Sequence, residues 1–248
     1  MNRIKIQRKN YYLFLILELI LYVLFLYLDF YRPKAAMLSN ILKFTSIILC
    51  FIFALVTIYP IFKKHSYNIF LAASALTVLA DLFLLFTLNY SLGVVLFCSV
   101  QVLYHFYLFT SKDMLLFFSI PSIGTIFFLI YCNFTQYLTE HLHENILLIV
   151  PACFYIFMLI LNLISSFFSP NTSEKDKLFL SFGFLLLLLC DLQVGYRNIY
   201  ELLNVSENIL WNKLYEIACM GIWIFYLPSQ VLLITSLNSN IIRKSLIK

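Results

Sequence analysis

Charge is scarce in this 248-residue chain. Asp, Glu, Lys and Arg make up 12% of it against 62% hydrophobic residues, and the mean hydropathy is +0.92. A soluble globular domain carries about a quarter of its residues charged, so the shortage excludes that class. The apolar excess also excludes a disordered chain, a nucleic-acid-binding module and a disulfide scaffold. Glycine is scarce as well, with five in the chain. Helices are therefore expected to approach one another through Ala, Ser and Thr and not through GxxxG pairs. No CxxC pair occurs: the six cysteines, Cys50, Cys98, Cys132, Cys153, Cys190 and Cys219, fall in or at the ends of apolar runs. They read as small core residues and not as a bridge or a metal site. What the chain does have is 26 Phe, 17 Tyr and repeated long apolar runs, the composition of a polytopic membrane protein in contact with the lipid bilayer.

A spanning helix needs about 20 mostly apolar residues. Eight runs qualify, at roughly 11–28, 44–62, 69–88, 91–109, 114–132, 146–168, 177–197 and 214–237. None alternates with period two, so a barrel is excluded. The expected fold is an all-α bundle of eight transmembrane helices in a single membrane domain spanning 1–248. The first run follows Arg3, Lys5, Arg8 and Lys9 with no small-residue cleavage site after it, and reads as an anchor. The net charge of +5 reports orientation here and not nucleic-acid binding. With eight spans, 12 of the 17 Lys and Arg fall on the face that holds both termini. The other five, Arg32, Lys34, Lys43, Arg197 and Lys213, fall in loops on the opposite face. That asymmetry places both termini in the cytoplasm, and the short loops suit a bacterial inner membrane.

Ionisable groups inside spans are costly and mark candidate sites. Four stand out: Glu18, Asp81, His105 and Asp191. Asp81 lies about 18 Å along the third span and Asp191 about 21 Å along the seventh, at 1.5 Å per residue. Both spans run outward, so the two carboxylates are expected at similar depth in the outer half of the membrane. Ala73, Thr77 and Asp81 share one face flanked by Ala72, Ser74, Ala75 and Ala80, a small-residue surface that turns Asp81 into the bundle. Two aspartates in one dry pocket cannot both ionise cheaply, which is the requirement for a general acid paired with a general base. The alternative is structural: each could cap a kink, pair with Lys43 or Arg197, or line a polar cavity, but two at matched depth favour function. Glu18 takes a structural reading.

Other polar residues fall on shared faces. Gln101, Tyr104 and His105 form one stripe in span four, and Trp223, Tyr226 and Gln230 another in span eight. Taken without any family resemblance, both read first as interhelical packing and hydrogen bonding. Pro228 frees the carbonyl of Ile224, and Pro151 with Tyr155 makes a similar break in span six. His65, His141 and His143 fall in loops; His141, His143 and Glu144 are a weak metal-ligand spacing.

The stretch Ala80-Asp81-Leu82 to Leu84, followed by Gly93, Phe97 and Tyr104, resembles the lysoplasmalogenase (YhhN-like) family of multi-pass membrane proteins. That family carries a Gly-Asp in its third span, then a Gly-Leu, then Phe, His and Tyr at four- and three-residue spacing. Here the pattern reads Asp81, Gly93, Phe97, Gln101, Tyr104. Further matches are Gly183 before Cys190-Asp191, Tyr226 before Gln230, and Pro151 before Tyr155. The departures are Lys43-Phe44 for the family's Lys-Pro, Ala80 for glycine, Cys190 for serine and Gln101 for histidine. His105 stands one turn from Gln101 on the same face.

The resemblance implies hydrolysis of the vinyl ether bond of a lysoplasmalogen-type lysophospholipid, giving a fatty aldehyde and a glycerophospho-base. Protonation of the vinyl β-carbon leaves an oxocarbenium-like cation, to which water adds. Asp81 and Asp191 are then the catalytic pair, and Gln101, Tyr104, Tyr155, Tyr226 and Gln230 line the substrate site. Lys43 meets the phosphate from the outer side. No metal or cofactor is required. The alternative is a lipid or small-molecule transporter or sensor on the same fold, without hydrolysis; aspartates in spans three and seven in the same orientation also suit a parallel repeat.

Overall fold

The structure, a computed structural model, describes residues 2–58, 65–87, 89–108, 114–134, 136–169, 174–203 and 209–246. Among the described residues it is helical, without strands. Eight α-helices follow in order: α1 (Asn2–Tyr31), α2 (Ala36–Ile58), α3 (His65–Leu82), α4 (Tyr90–Leu108), α5 (Met114–Phe134), α6 (Gln136–Phe168), α7 (Glu174–Leu203) and α8 (Ile209–Leu246). Helices close every backbone hydrogen bond within one segment, as apolar surroundings demand. Among the described residues, seven of them are long and apolar enough to cross a membrane. On α1, Ile16, Ile20, Val23 and Leu24 are exposed, the pattern of a helix facing lipid and not water.

Several helices outrun the apolar runs that announced them. A 3₁₀ turn at Pro33–Ala35 leads directly into α2, so Ser39, Asn40 and Lys43 lie inside that helix and not in a loop before it. Hydropathy misplaced this start because three polar side chains occupy its first two turns. Arg197 likewise lies inside α7, where it pairs with Glu201 at 2.9 Å, and Lys213 lies inside α8. The backbone of 141–144 belongs to α6 and not to a loop. The side chains of His65, His141, His143 and Glu144 lie outside the described residues, as do Lys63, Lys64, Lys112 and the side chain of Cys132.

The helices divide into two units, Met1–Ile61 with Thr172–Lys248, and Phe62–Asn171. In the first, α1 and α2 form an antiparallel hairpin. Phe14 stacks on Phe53 at 4.2 Å, Cys50 donates its thiol to Glu18 at 3.3 Å, and Lys43 reaches Asp29 at 2.8 Å. Helices α7 and α8 form a second hairpin, with α8 also packed on α1 and α2. Tyr22 donates its phenol to the carbonyl of Ile224 at 3.0 Å. That is the carbonyl that Pro228 leaves without its helical donor, and α1 supplies the replacement.

Glycine serves close packing in the second hairpin. A Cβ on Gly183 would stand 2.8 Å from Leu233 Cγ and 3.2 Å from its backbone nitrogen, and backbone cannot rotate away. Gly183→Val is expected to destabilise the protein by about 1–3 kcal/mol, the range for overpacking a filled interface, read as a lowered unfolding midpoint in detergent.

In the second unit α3 and α4 are antiparallel, joined by a short turn. Leu84 covers Gly93, and the Phe70 ring meets Tyr104 and Tyr107 at 5.3 and 5.2 Å. Helices α4 and α6 are parallel: Cys98 donates to the Pro151 carbonyl at 3.1 Å, and further along the same direction Ser169 donates to the Leu108 carbonyl at 3.0 Å. Helix α5 lies between them in sequence and packs on α6, with Gly124 against the Phe157 ring. A π-helical segment at Phe83–Thr87 follows α3 immediately after Asp81 and Leu82. Such segments are rare and concentrate at functional sites.

Candidate functional site

Each unit gathers part of the expected site. In the second, Ala73, Ser74, Thr77, Ala80 and Asp81 are all buried, Asp81 to 3% exposure. The small-residue face of α3 therefore does turn the carboxyl inward. The register set by Leu84 with Gly93 and by Phe70 with Tyr107 puts Asp81 level with Leu96 and Phe97 on α4. The Phe97 ring meets Tyr155 of α6 at 6.1 Å.

Further along α4, Gln101, Tyr104 and His105 are buried together. The stripe is the interhelical seam its spacing allowed, and α6 completes it with Asn162. The amide nitrogen of Asn162 donates to the Gln101 carbonyl at 2.8 Å and to Gln101 Oε1 at 3.0 Å. Its Oδ1 faces His105 Nδ1 at 3.0 Å. Gln101 Nε2 is left buried without a hydrogen-bond partner among the described residues.

In the first unit the centre is Lys43. Its ammonium holds Asp29 Oδ2 at 2.8 Å and lies 5.2 Å from the Trp223 ring centroid and 5.9 Å from that of Phe25. Asp29 Oδ1 accepts from Ser39 at 2.5 Å. Phe25 meets Trp223 edge-on at 5.6 Å, and Trp223 meets Tyr226 at 5.1 Å. The structure thus brings Lys43 and Tyr226 to one indole. Gln230 is buried one turn beyond Tyr226. Lys43, expected to meet a phosphate, has its charge matched by Asp29, so an anion reaching it must share or displace that carboxylate.

Asp191 is half-buried on α7, beside buried Cys190. Gly183 against Leu233, and the Gln193 amide against Gly221 where a Cβ would leave it no room, fix the α7–α8 register. That register puts Asp191 level with Trp223 and its neighbours. Asp191 thus shares its depth with the Lys43 cluster in the first unit, while Asp81 belongs to the second. The first unit offers a cation in an aromatic surround and a carboxylate. The second offers a buried carboxyl and a polar seam.

Both aspartates, the Gln101–Tyr104 stripe, Tyr155 and the Tyr226–Gln230 pair fall within residues 38–237, which the family model described as YhhN family matches. The chain belongs to the YhhN family. No curated protein and no solved structure matches it. Helix α1, with Glu18, Tyr22, Phe25 and Asp29, precedes the stretch matched to YhhN. Three of the groups that shape this YhhN protein's clusters went unread in the sequence. Asp29 had a signal, since an acid and a base either side of a Pro-containing turn are brought together by an antiparallel hairpin. Asn162 had one too, as a carboxamide inside an apolar run. Gln193 had none, because its place depends on the absent side chain of Gly221.

Proposed function

We propose that the protein is a membrane-embedded hydrolase that cleaves the vinyl ether bond of a lysoplasmalogen-type lipid. Membership of the YhhN family over residues 38–237 carries this reading, because that stretch holds both intramembrane aspartates. In it Asp81 and Asp191 divide the work of proton donor to the vinyl β-carbon and carboxylate that stabilises the cation and activates water. Tyr226 and Gln230, beside Trp223, and Gln101, Tyr104 and Tyr155 in the second unit, contact the substrate. Lys43 meets the phosphate in exchange for part of its hold on Asp29.

The reading includes eight crossings in one membrane domain with both termini cytoplasmic, in a bacterial inner membrane. The parallel course of α4 and α6 supports the count, since a chain that runs the same way twice has to return through α5. The test is the purified protein in detergent with a lysoplasmalogen. Fatty aldehyde and glycerophospho-base are expected in equal amounts; wild-type protein that yields neither overturns the reading. A second reading, a lipid transporter or sensor without hydrolysis, is favoured by Gln101, which stands where the family pattern has histidine. Transbilayer movement of intact lipid in proteoliposomes, with no aldehyde, is its signature.

A further inference from the structure

The buried seam between α4 and α6 settles the protonation of one of its members. The Asn162 atom 2.8 Å from the Gln101 backbone carbonyl must be the amide nitrogen, because a carbonyl oxygen only accepts. The orientation of this carboxamide is therefore fixed by a backbone group whose role is not in question. Its other atom, Oδ1, faces His105 Nδ1 at 3.0 Å. Oδ1 too only accepts, so Nδ1 carries the ring proton. In a neutral imidazole Nε2 is then the acceptor.

The same Asn162 nitrogen lies 3.0 Å from Gln101 Oε1. This fixes the second carboxamide, with Oε1 toward Asn162 and Nε2 away from it. Gln101 is fully buried, and its Nε2 has no hydrogen-bond partner among the described residues. An orphaned buried amide donor is costly and calls for an acceptor such as an ordered water. Gln101 and His105 are four residues apart on one helix, so their side chains are neighbours roughly 6 Å apart at Cβ.

We propose that Asn162 is a positioning residue that turns the Gln101–His105 face of α4 into a water site, with Gln101 Nε2 donating to the water oxygen and the water donating to His105 Nε2. The water site stands on the hydrogen-bond geometry alone. Its meaning, as the place where the water consumed by hydrolysis is held, rests on the hydrolase reading.

The test is ¹⁵N spectroscopy of histidine-labelled protein in nanodiscs at neutral pH, with His105 assigned by the signals that His105→Gln removes. The expected result is a protonated Nδ1 and an unprotonated Nε2 displaced by a hydrogen bond. Asn162→Leu is expected to move the ring toward the Nε2–H form that imidazole favours in water. Asn162→Asp keeps an acceptor opposite Nδ1 and is expected to retain the Nδ1–H form, which guards against a misfolded Leu variant. Gln101→Leu is expected to shift the Nε2 signal while Nδ1 stays protonated. In the aldehyde assay, Asn162→Leu is expected to lower kcat about tenfold or more at little-changed KM. A wild-type ring protonated at Nε2, or an Nε2 signal indifferent to Gln101→Leu, overturns the proposal. Protein that releases no aldehyde but gives the expected spectra removes the hydrolase reading and upholds the water site. Active protein whose ring ignores Asn162 does the reverse.

Discussion

Asp81→Asn is expected to lower aldehyde release by about 10²–10⁴-fold, the range that one positioned acid or base contributes. Asp191→Asn is expected to do the same. Asparagine keeps the shape and most of the hydrogen bonding of aspartate while removing the exchangeable proton and the charge, so Asp81, buried among Ala73, Thr77 and Ala80, is replaced without a hole. The two losses should not multiply. Groups that act in one transition state are non-additive, and the double variant is expected to be about as slow as the worse single one. The measurement is initial rate against substrate concentration for the wild type and three variants. Full activity in both single variants removes the aspartates from the chemistry. A double variant slower by the product of the two effects shows that they act in separate steps.

Asp29→Ala is expected to cost about 3 kcal/mol of stability, the lower end of the range for breaking a buried ion pair. The lower end applies because the Asp29 side chain keeps 32% of its surface exposed, whereas that of Lys43 keeps 9%. Removing the carboxylate strands the Lys43 ammonium against Phe25 and Trp223, where ring faces offset only part of its lost hydration. It also takes the acceptor from Ser39. The cost therefore comes mainly from the charge left behind. Asp29→Leu with Lys43→Met, which removes both charges at similar volume, is expected to recover most of the stability. Unfolding in detergent for the two single variants and the double reads this directly; single variants as stable as wild type show that the pair is solvated.

Both predictions depend on residues with different visibility in the sequence. The helices were legible because lipid forces continuous apolar runs, and a run of about 20 has few alternatives. Their ends were not, because α2, α6 and α7 extend through polar residues that hydropathy assigns to loops. That shift is what moved Lys43 from a loop into a buried pair. The inward turn of Asp81 was legible from the small residues that precede it on the same face of α3. Trp223, Tyr226 and Gln230 were legible as one face of α8, but the approach of Lys43 to that indole required α2 to be packed on α8. Partners between helices are set by packing and not by spacing along one of them. For that reason the partners of Asn162 and Asp29 emerge only with the fold. The π-helical turn after Asp81 carries no sequence mark at all.

Proline in the middle of a long helix leaves an unclosed carbonyl, and that gap is ordinarily where a rod can flex. In α8 the gap at Ile224 is occupied by the Tyr22 hydroxyl, so the joint is clasped from outside the helix. Flexing at Pro228, with Tyr226 and Gln230 either side of it, has to rupture that clasp at a net cost of about 1 kcal/mol. The curvature of the one face is thereby governed by α1, a segment lying ahead of the part shared with the family.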